Sequence, residues 1–578
     1  MKLLRNLRRV IFKNRLLTLI VILAALLRFI GTTPGYPPIH TDEGISHSQG
    51  IAMVLERSLD PKHGYGLPYN YPIIVPLVNA LFYLFLFIPL YSFLYIFSHL
   101  SEITNLLASQ DFERLYNIII QNILGPQRIN VVFWGRVVTA FFGTGIVLLG
   151  YLTAKQLFNS KTIGLLSAFF IAINYRQVLN SHIGIPDIYN AFFLLFAFYQ
   201  IIRLWEKQSL PRYLWVGVSV SLFFSTKFQF FALPPLLLTL IFLAALKKEF
   251  SKKLRFFLQK NIFLMFLVMV FSAVLLNIFH IINLQETLQQ VSDSALKYRY
   301  GKSSLDFYPL SYLYHIGIGP LMSISATLGI ILGLVFNFRK MLLLLSVIIP
   351  FMWMFVYYTG GGFYTRNFVT IIPLFLICAA FGIYTIFSKL TRVSRLFSFV
   401  FGGVFIAVIA FESLSNSLIV PIEYSKQWNY KLMQQWVGKN IPEGDTVLSS
   451  PGVQIPSKGF KIIETENPDD FSLVKMREDN IQWAIINTEL VGINFLWWMN
   501  QDSATSLKFW NKPTDILSDD PLAGALLTLK SYIVFEALNP WQAPDNNFLV
   551  VKISEQPSNF NSKFDLNEHL FLNSNGGM

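Results

Sequence analysis

The chain has 578 residues, of which 53% are hydrophobic and only 14% charged, with a mean hydropathy of +0.49. A soluble domain is usually about one quarter charged, so polar groups cannot cover this surface and a water-soluble globule is excluded. The net charge of +13 does not signal nucleic-acid binding, because the cations fall in short groups between apolar runs rather than in one basic stripe.

A helix needs about 20 apolar residues to cross the hydrocarbon core. In chain order the candidate spans are 15–32, 131–153, 162–180, 187–204, 212–230, 232–246, 261–283, 312–336, 341–358, 367–388 and 396–419. The first reads as a retained anchor, since it lacks a small-residue cleavage site and Arg28 interrupts its end. Residues 72–98 are also apolar enough to span. A single crossing there would invert everything downstream, so 72–108 is expected as an interfacial or re-entrant hairpin broken near Pro89. The polar, amphipathic stretch 99–130 suits a helix lying on the outer surface.

Threading the eleven spans in order places every basic cluster on one side. These clusters are Lys2 to Arg15, Lys155/Lys161, Arg203/Lys207/Arg212, Lys247 to Lys260, Arg339/Lys340 and Lys389/Arg392/Arg395. By the positive-inside rule that side is cytoplasmic. The polar stretches 33–71, 181–187, 284–311 and 359–366 then share the outer face, together with everything from about residue 420.

Residues 421–578 carry 19 Asp+Glu against 12 Lys+Arg, a net −7 that leaves +20 on the membrane part. Turn signals at 441–444 and 539–540 and apolar runs at 461–463, 482–486 and 546–553 predict a small α/β domain. The expected fold is an all-α polytopic membrane bundle over 1–419, with a first outer loop at 33–130, followed by a soluble exoplasmic α/β domain over 420–578. Allowing for the path of 72–130, the bundle holds about 11–13 transmembrane helices. The expected location is a plasma (inner) membrane with the N-terminus cytoplasmic. The single cysteine, Cys378, lies in an apolar run and rules out an internal disulfide.

Several ionisable residues gather on the outer face. Asp42-Glu43 follow the first span closely, within Pro37-Pro38-Ile39-His40-Thr41-Asp42-Glu43-Gly44. Adjacent carboxylates at a membrane–water boundary can take a proton from an acceptor hydroxyl or bind a divalent metal; a plain solvated acidic pair would look the same. His182 and Asp187 lie in Ser181-His182-Ile183-Gly184-Ile185-Pro186-Asp187 between two spans. Pro and Asp both suit the first turn of a helix, which is the structural account of Asp187, and a lone His at a bilayer edge is more often structural.

Lys227, in Ser225-Thr226-Lys227-Phe228, sits near the outer end of a span. A membrane-embedded Lys is a functional candidate unless it snorkels to the surface. Arg366 opens a span on the same side, against the positive-inside trend, and Arg28 ends the first span there. The planar fork of Arg suits phosphate. Carboxylates and cations from five distant places on one face fit an amphipathic ligand with a lipid tail, a phosphate and a polar head.

The ordered set resembles the GT-C glycosyltransferases, in the branch of protein O-mannosyltransferases (the dolichyl-phosphate-mannose-protein mannosyltransferases) and the lipid A aminoarabinose transferases. Its landmarks are Asp42-Glu43, Arg136 in Gly135-Arg136-Val137-Val138-Thr139-Ala140, Ser181-His182…Pro186-Asp187, Ser225-Thr226-Lys227-Phe228 and Arg366 leading into Pro373. The resemblance covers roughly 15–245 well and the rest loosely. It departs from the family pattern in the longer stretch 72–130 and in having no tandem outer-loop modules like those of eukaryotic protein mannosyltransferases. The loop 284–311, with Lys297, Arg299 and Lys302, is either a recognition element or a mobile loop at the site mouth.

The resemblance implies a helical GT-C bundle that transfers a sugar from a polyprenyl or dolichyl phosphate carrier to a lipid, glycan or protein acceptor on the exoplasmic side. It implies Asp42 as general base or metal ligand, Glu43 as its support and Asp187 as a further acid and second candidate metal ligand. A divalent cation (Mg, Mn or Zn) is then the candidate cofactor. Lys227 and Arg366 would neutralise the carrier phosphate, with His182, Arg28 and Arg136 also on the substrate-binding side. One displacement opposite that phosphate would invert the anomeric carbon. The non-enzyme alternatives are a lipid or sugar-lipid flippase, which needs ionisable residues near the bilayer midplane, and an inactive assembly subunit.

Overall fold

A computed structural model describes residues 14–32, 43–62, 66–118, 131–247, 249–299, 307–358, 365–425, 429–449, 455, 459–465, 473–487, 505–509 and 548–552. Its main helices are α1 (Arg15–Phe29), α2 (Ile45–Leu55), α3 (Ile74–Ser98), α4 (Val131–Phe158), α5 (Lys161–Ile173), α6 (Tyr175–Ser181), α7 (Asp187–Glu206) and α8 (Leu210–Lys227). They continue as α9 (Leu233–Ala245), α10 (Lys260–Leu276), α11 (Leu284–Arg299), α12 (Pro320–Phe336), α13 (Phe338–Trp353), α14 (Ile372–Leu390), α15 (Arg395–Ser425) and α16 (Asn429–Asn440). Among the described residues seven helices are long and apolar enough to cross a membrane, or up to nine if each of two bent pairs is one span. Each of the eleven spans expected from sequence coincides with one of these or with a shorter helix, α1, α8 or α9, packed in the same bundle. The protein is an integral membrane protein with a mostly helical fold.

Small residues set the close crossings. A Cβ on Gly329 of α12 would collide with the Cys378 carbonyl of α14, and one on Gly217 of α8 would come within 2.6 Å of the Met265 carbonyl of α10. With no hydrophobic drive between helices in lipid, such backbone approach is what lets them pack.

The span made by α5 and α6 bends by 57° at Asn174. A broken helix inside a membrane must find other partners for its freed carbonyls. Arg28 supplies two of them: Nη1 donates to Ala172 O at 2.9 Å and Nη2 to Ile171 O at 3.0 Å. Ser413 and Ser417 of α15 donate to Ile173 O at 2.9 and 2.6 Å. Asn174 caps α6 by accepting from Gln177 N at 3.1 Å, and its amide donates to Gly317 O at the second break, where 309–317 meets α12 at 114°.

The expected hairpin near Pro89 is not what forms. α3 is one helix of 25 residues running straight through Pro89, and its break comes at His99. The reason is a π-turn at Tyr83–Phe87, in which the Ile88 N–H reaches back five residues to Tyr83 O. The wider turn moves away the carbonyl that a proline ring would otherwise strike. α3 runs antiparallel to α4, with Phe82 against Phe141 and Phe142, Phe87 against Trp134, and Trp134 Nε1 donating to Tyr91 at 2.6 Å. Phe85, Phe93 and Phe97 stay exposed. Within 99–130, helices form at Leu100–Ala108 and Phe112–Ile118, and 119–130 lie outside the described residues.

The C-terminal part is α/β, as its patterning predicts. Five strands, β1 (Thr446–Ser449), β2 (Lys461–Glu464), β3 (Trp483–Asn487), β4 (Thr505–Phe509) and β5 (Phe548–Lys552), form one sheet in the order β2-β1-β3-β5-β4. β1 is parallel to β2 and β3, while β5 is antiparallel to β3 and β4. Met433, Val437 and Ile441 of α16 pack with Val447, Trp483 and Ile485 of the sheet. The apolar runs at 461–463, 482–486 and 546–553 became β2, β3 and β5; β1 and β4 lacked a comparable run.

Candidate active site

Two polar clusters meet at the connector 182–186 between α6 and α7. The first is built on Glu43, immediately before α2. Arg136, in the second turn of α4, donates from Nε to Glu43 Oε1 at 2.7 Å and from Nη2 to Oε2 at 2.9 Å. The Gly184 N–H adds a third bond to Oε1 at 2.9 Å. Both side chains are wholly buried. The fork-on-fork geometry is what holds such a pair out of water. Glu43 Oε1 thus accepts two bonds and Oε2 one, which commits this carboxylate to Arg136 and the connector. Asp42 lies outside the described residues.

The second cluster begins three residues further along the connector. Asp187 opens α7 after Pro186 and is almost fully buried. Lys227, in the last turn of α8, forms an ion pair with Asp187 Oδ1 and donates to Asn367 Oδ1 at 2.9 Å. A cation suits that helix end, where the macrodipole is negative. Arg366 Nε lies 3.8 Å from the other Asp187 oxygen. The cations are each about one fifth exposed while the carboxylate is buried, 19% and 20% against 1%. Among the described residues two partly exposed cations face one buried carboxylate here.

Asn190, one turn into α7, supports the corner from beneath. Its amide donates to Gln229 at 2.9 Å and to Thr370 at 3.0 Å, and Thr226 donates to its carbonyl oxygen at 2.5 Å. The residues before Lys227 and after Arg366 are thus fixed to the same helix that carries Asp187.

The remaining sequence candidates sit differently. His182 is buried, with Nδ1 2.9 Å from Val178 O and Nε2 2.9 Å from Ile30 O, and as a neutral imidazole it donates its one N–H to one of the two. It ties the connector to the end of α1; burial takes its imidazole down to about 4. Arg28 is spent on the carbonyls of the α5–α6 break and on Ala24 O at 3.1 Å. Neither faces the Lys227–Arg366 corner through any of these bonds. Sequence reasoning gave Arg136 as a landmark without its partner, and missed Asn367, Asn190 and His47. A polar run of Arg366-Asn367 beside an apolar span was the available signal for Asn367.

The described residues do not fit a resident divalent cation. No group of three or more His, Cys, Asp or Glu side chains among them is placed to hold a metal. Asp187 faces two cations that would repel one, and Glu43 is already paired with Arg136.

Residues 124–276 match the model of the dolichyl-phosphate-mannose-protein mannosyltransferase family. The matched block contains Arg136, His182, Asp187 and Lys227, and leaves the acid pair and Arg366 outside it. No curated protein matches the chain. Among solved structures, the chain is similar to the archaeal oligosaccharyltransferase AglB from Archaeoglobus fulgidus in complex with an inhibitory peptide and a dolichol-phosphate. That match has 13% identity and a TM-score of 0.48, over 83% of this chain and 70% of the other. It is also similar to ArnT from Cupriavidus metallidurans bound to undecaprenyl phosphate, at 10% identity and a TM-score of 0.48, over 94% of this chain and 99% of the other. Resemblance to the GT-C glycosyltransferases is thus found from the family match as well as from the motifs.

Proposed function

We propose that this chain is an integral-membrane glycosyltransferase that moves a sugar from a polyprenyl-phosphate carrier to an acceptor on the outer face. The observation that carries the reading is the corner where Lys227 and Arg366 converge on Asp187, beside the connector that also anchors Glu43. Two partly exposed cations at the ends of membrane helices suit a lipid-anchored phosphate. The family match over 124–276 supports the same reaction class.

In this reading the acceptor oxygen attacks the anomeric carbon as the bond from that carbon to the carrier phosphate breaks. The phosphate gains charge as it leaves, and Lys227 and Arg366 stabilise it. Asp187 holds both cations in place. Asp42 takes the acceptor proton, because Glu43 next to it is committed to Arg136 and Gly184. A single displacement of this kind inverts the anomeric carbon. The reading puts the N-terminus in the cytoplasm and the α/β domain of 420–578 outside, in keeping with the one-sided basic clusters, and it requires that α3, though long and apolar enough to cross once, does not do so.

The test uses purified protein in lipid with a panel of labelled polyprenyl-phosphate sugars and a membrane extract as acceptor source. Label moves to an acceptor with wild type and not with Asp42→Asn. Carrier binding without transfer from any donor would overturn the enzyme reading in favour of a flippase or an inactive subunit.

A further inference from the structure

One buried polar side chain at the site has no part in the bonds described so far. His47, in the first turn of α2, is 4% exposed, and neither ring nitrogen makes a well-formed hydrogen bond among the described residues, although the Gly135 backbone lies beside it. Leaving buried polar atoms poorly paired costs about 1–3 kcal/mol each, so such a ring beside the Glu43 carboxylate asks for a reason.

The surroundings give one. A Cβ on Gly135 would lie 2.5 Å from His47 Cε1, 2.6 Å from Nδ1 and 2.7 Å from Nε2. A Cβ on Gly184 would lie 3.2 Å from Cε1 and 3.5 Å from Glu43 Cγ. The nitrogen-bearing edge of the ring therefore fills a slot that exists only because 135 and 184 are glycines. Gly135 precedes Arg136, and Gly184 supplies the N–H that binds Glu43. The ring thus touches the same three segments, the start of α2, the start of α4 and the connector, that the Glu43–Arg136 pair joins electrostatically.

We infer that His47 is a positioning residue for Glu43: its imidazole, keyed into the Gly135–Gly184 slot, sets where the segment bearing Glu43 stands against α4. The bidentate ion pair orients the Glu43 carboxylate, but between the two backbones it runs through flexible side chains. A rigid ring between two backbones fixes distance. Displacement of a reacting group by about 1 Å can lower turnover by about two orders of magnitude, so the key acts on the acceptor step and not on the carrier phosphate, which Lys227 and Arg366 hold elsewhere.

The inference rests on the transferase reading for its kinetic arm, and two other arms stand without it. In protein with Ser48→Cys as a half-buried reporter next to His47 on α2 (the native Cys378 is buried), His47→Leu raises the rate of maleimide labelling several-fold, and His47→Gln restores most of the protection. In thermal unfolding, Gly135→Ala is strongly destabilising alone and much less so in a His47→Ala background, where the added methyl enters the vacated slot. With a transferable donor, His47→Leu lowers kcat roughly tenfold or more while KM for the carrier sugar stays within about twofold. Labelling unchanged by His47→Leu, or a Gly135→Ala penalty equal in both backgrounds, overturns the inference whether or not transfer is observed. Absence of transfer by wild type, with those two arms as expected, refutes the transferase reading alone.

Discussion

Arg136 and Glu43 form a two-pronged ion pair, at 2.7 and 2.9 Å, with both side chains wholly removed from solvent. They are 93 residues apart in sequence, and their union pins the first outer loop to the helix that opens the matched family block. A buried pair is weak evidence of net stabilisation, because desolvation offsets much of the attraction. Breaking it is another matter.

Arg136→Met leaves a buried carboxylate without its counter-charge and is expected to lower stability by about 3–5 kcal/mol. Glu43→Gln strands the guanidinium in the same way. The double variant Glu43→Gln/Arg136→Met recovers a large part of that loss, since neither charge remains. Thermal unfolding of the three proteins in one detergent checks the non-additivity; additive losses would mean that the two residues are not coupled.

Lys227→Ala is expected to weaken binding of the carrier phosphate about tenfold or more, from the loss of one charge-assisted hydrogen bond worth about 1.5–3 kcal/mol. Lys227→Arg retains part of the affinity, because the charge stays while its fit to Asp187 and Asn367 changes. Titration of undecaprenyl phosphate, followed by thermal shift at two ionic strengths, separates the cases. An unaltered affinity in Lys227→Ala would remove this corner as the phosphate site.

Arg28→Met is expected to act on folding and not on carrier affinity. It frees the carbonyls of Ile171 and Ala172 at a break in the membrane, where water cannot replace the lost donors. Lower yield and melting temperature, with unchanged carrier titration of the folded fraction, is the expected result. A selective loss of carrier binding would return Arg28 to the ligand side.

These residues also show how far a sequence can be read. The spans were legible because apolar runs of the right length recur, and because the basic clusters choose one side. The strands β2, β3 and β5 were legible from short apolar runs after turn signals. α3 was not, because the rule that proline interrupts a helix takes no account of a π-turn that shifts the offending carbonyl. Arg28 looked like a ligand for anions because the broken helix that needs its donors lies 143 and 144 residues away. The Asp187–Lys227–Arg366 corner was legible as charges on one face. That two cations share one carboxylate, and that Glu43 is held by Arg136 and Gly184, depends on directions in space that spacing along the chain does not encode.

His47 makes a prediction about acid stability. Burial is the larger influence and takes its imidazole from 6.5 down to about 4, against the opposing pull of the Glu43 charge and the Gly135 backbone. The unfolded chain therefore binds a proton that the folded protein refuses between those two values, and stability rises with pH across that window. Stability is complete above about pH 6.5 and falls as the pH is lowered towards 4, by about 3 kcal/mol at most from a shift of this size. His182, held down to about 4 by its own burial, adds in the same direction. Melting curves of wild type and His47→Gln between pH 7 and 4.5 check this. The variant is expected to lose less stability over that range, because the amide has no proton to gain. Equal slopes in the two proteins would mean that the folded and unfolded states bind the same number of protons at His47, the Glu43 charge offsetting burial.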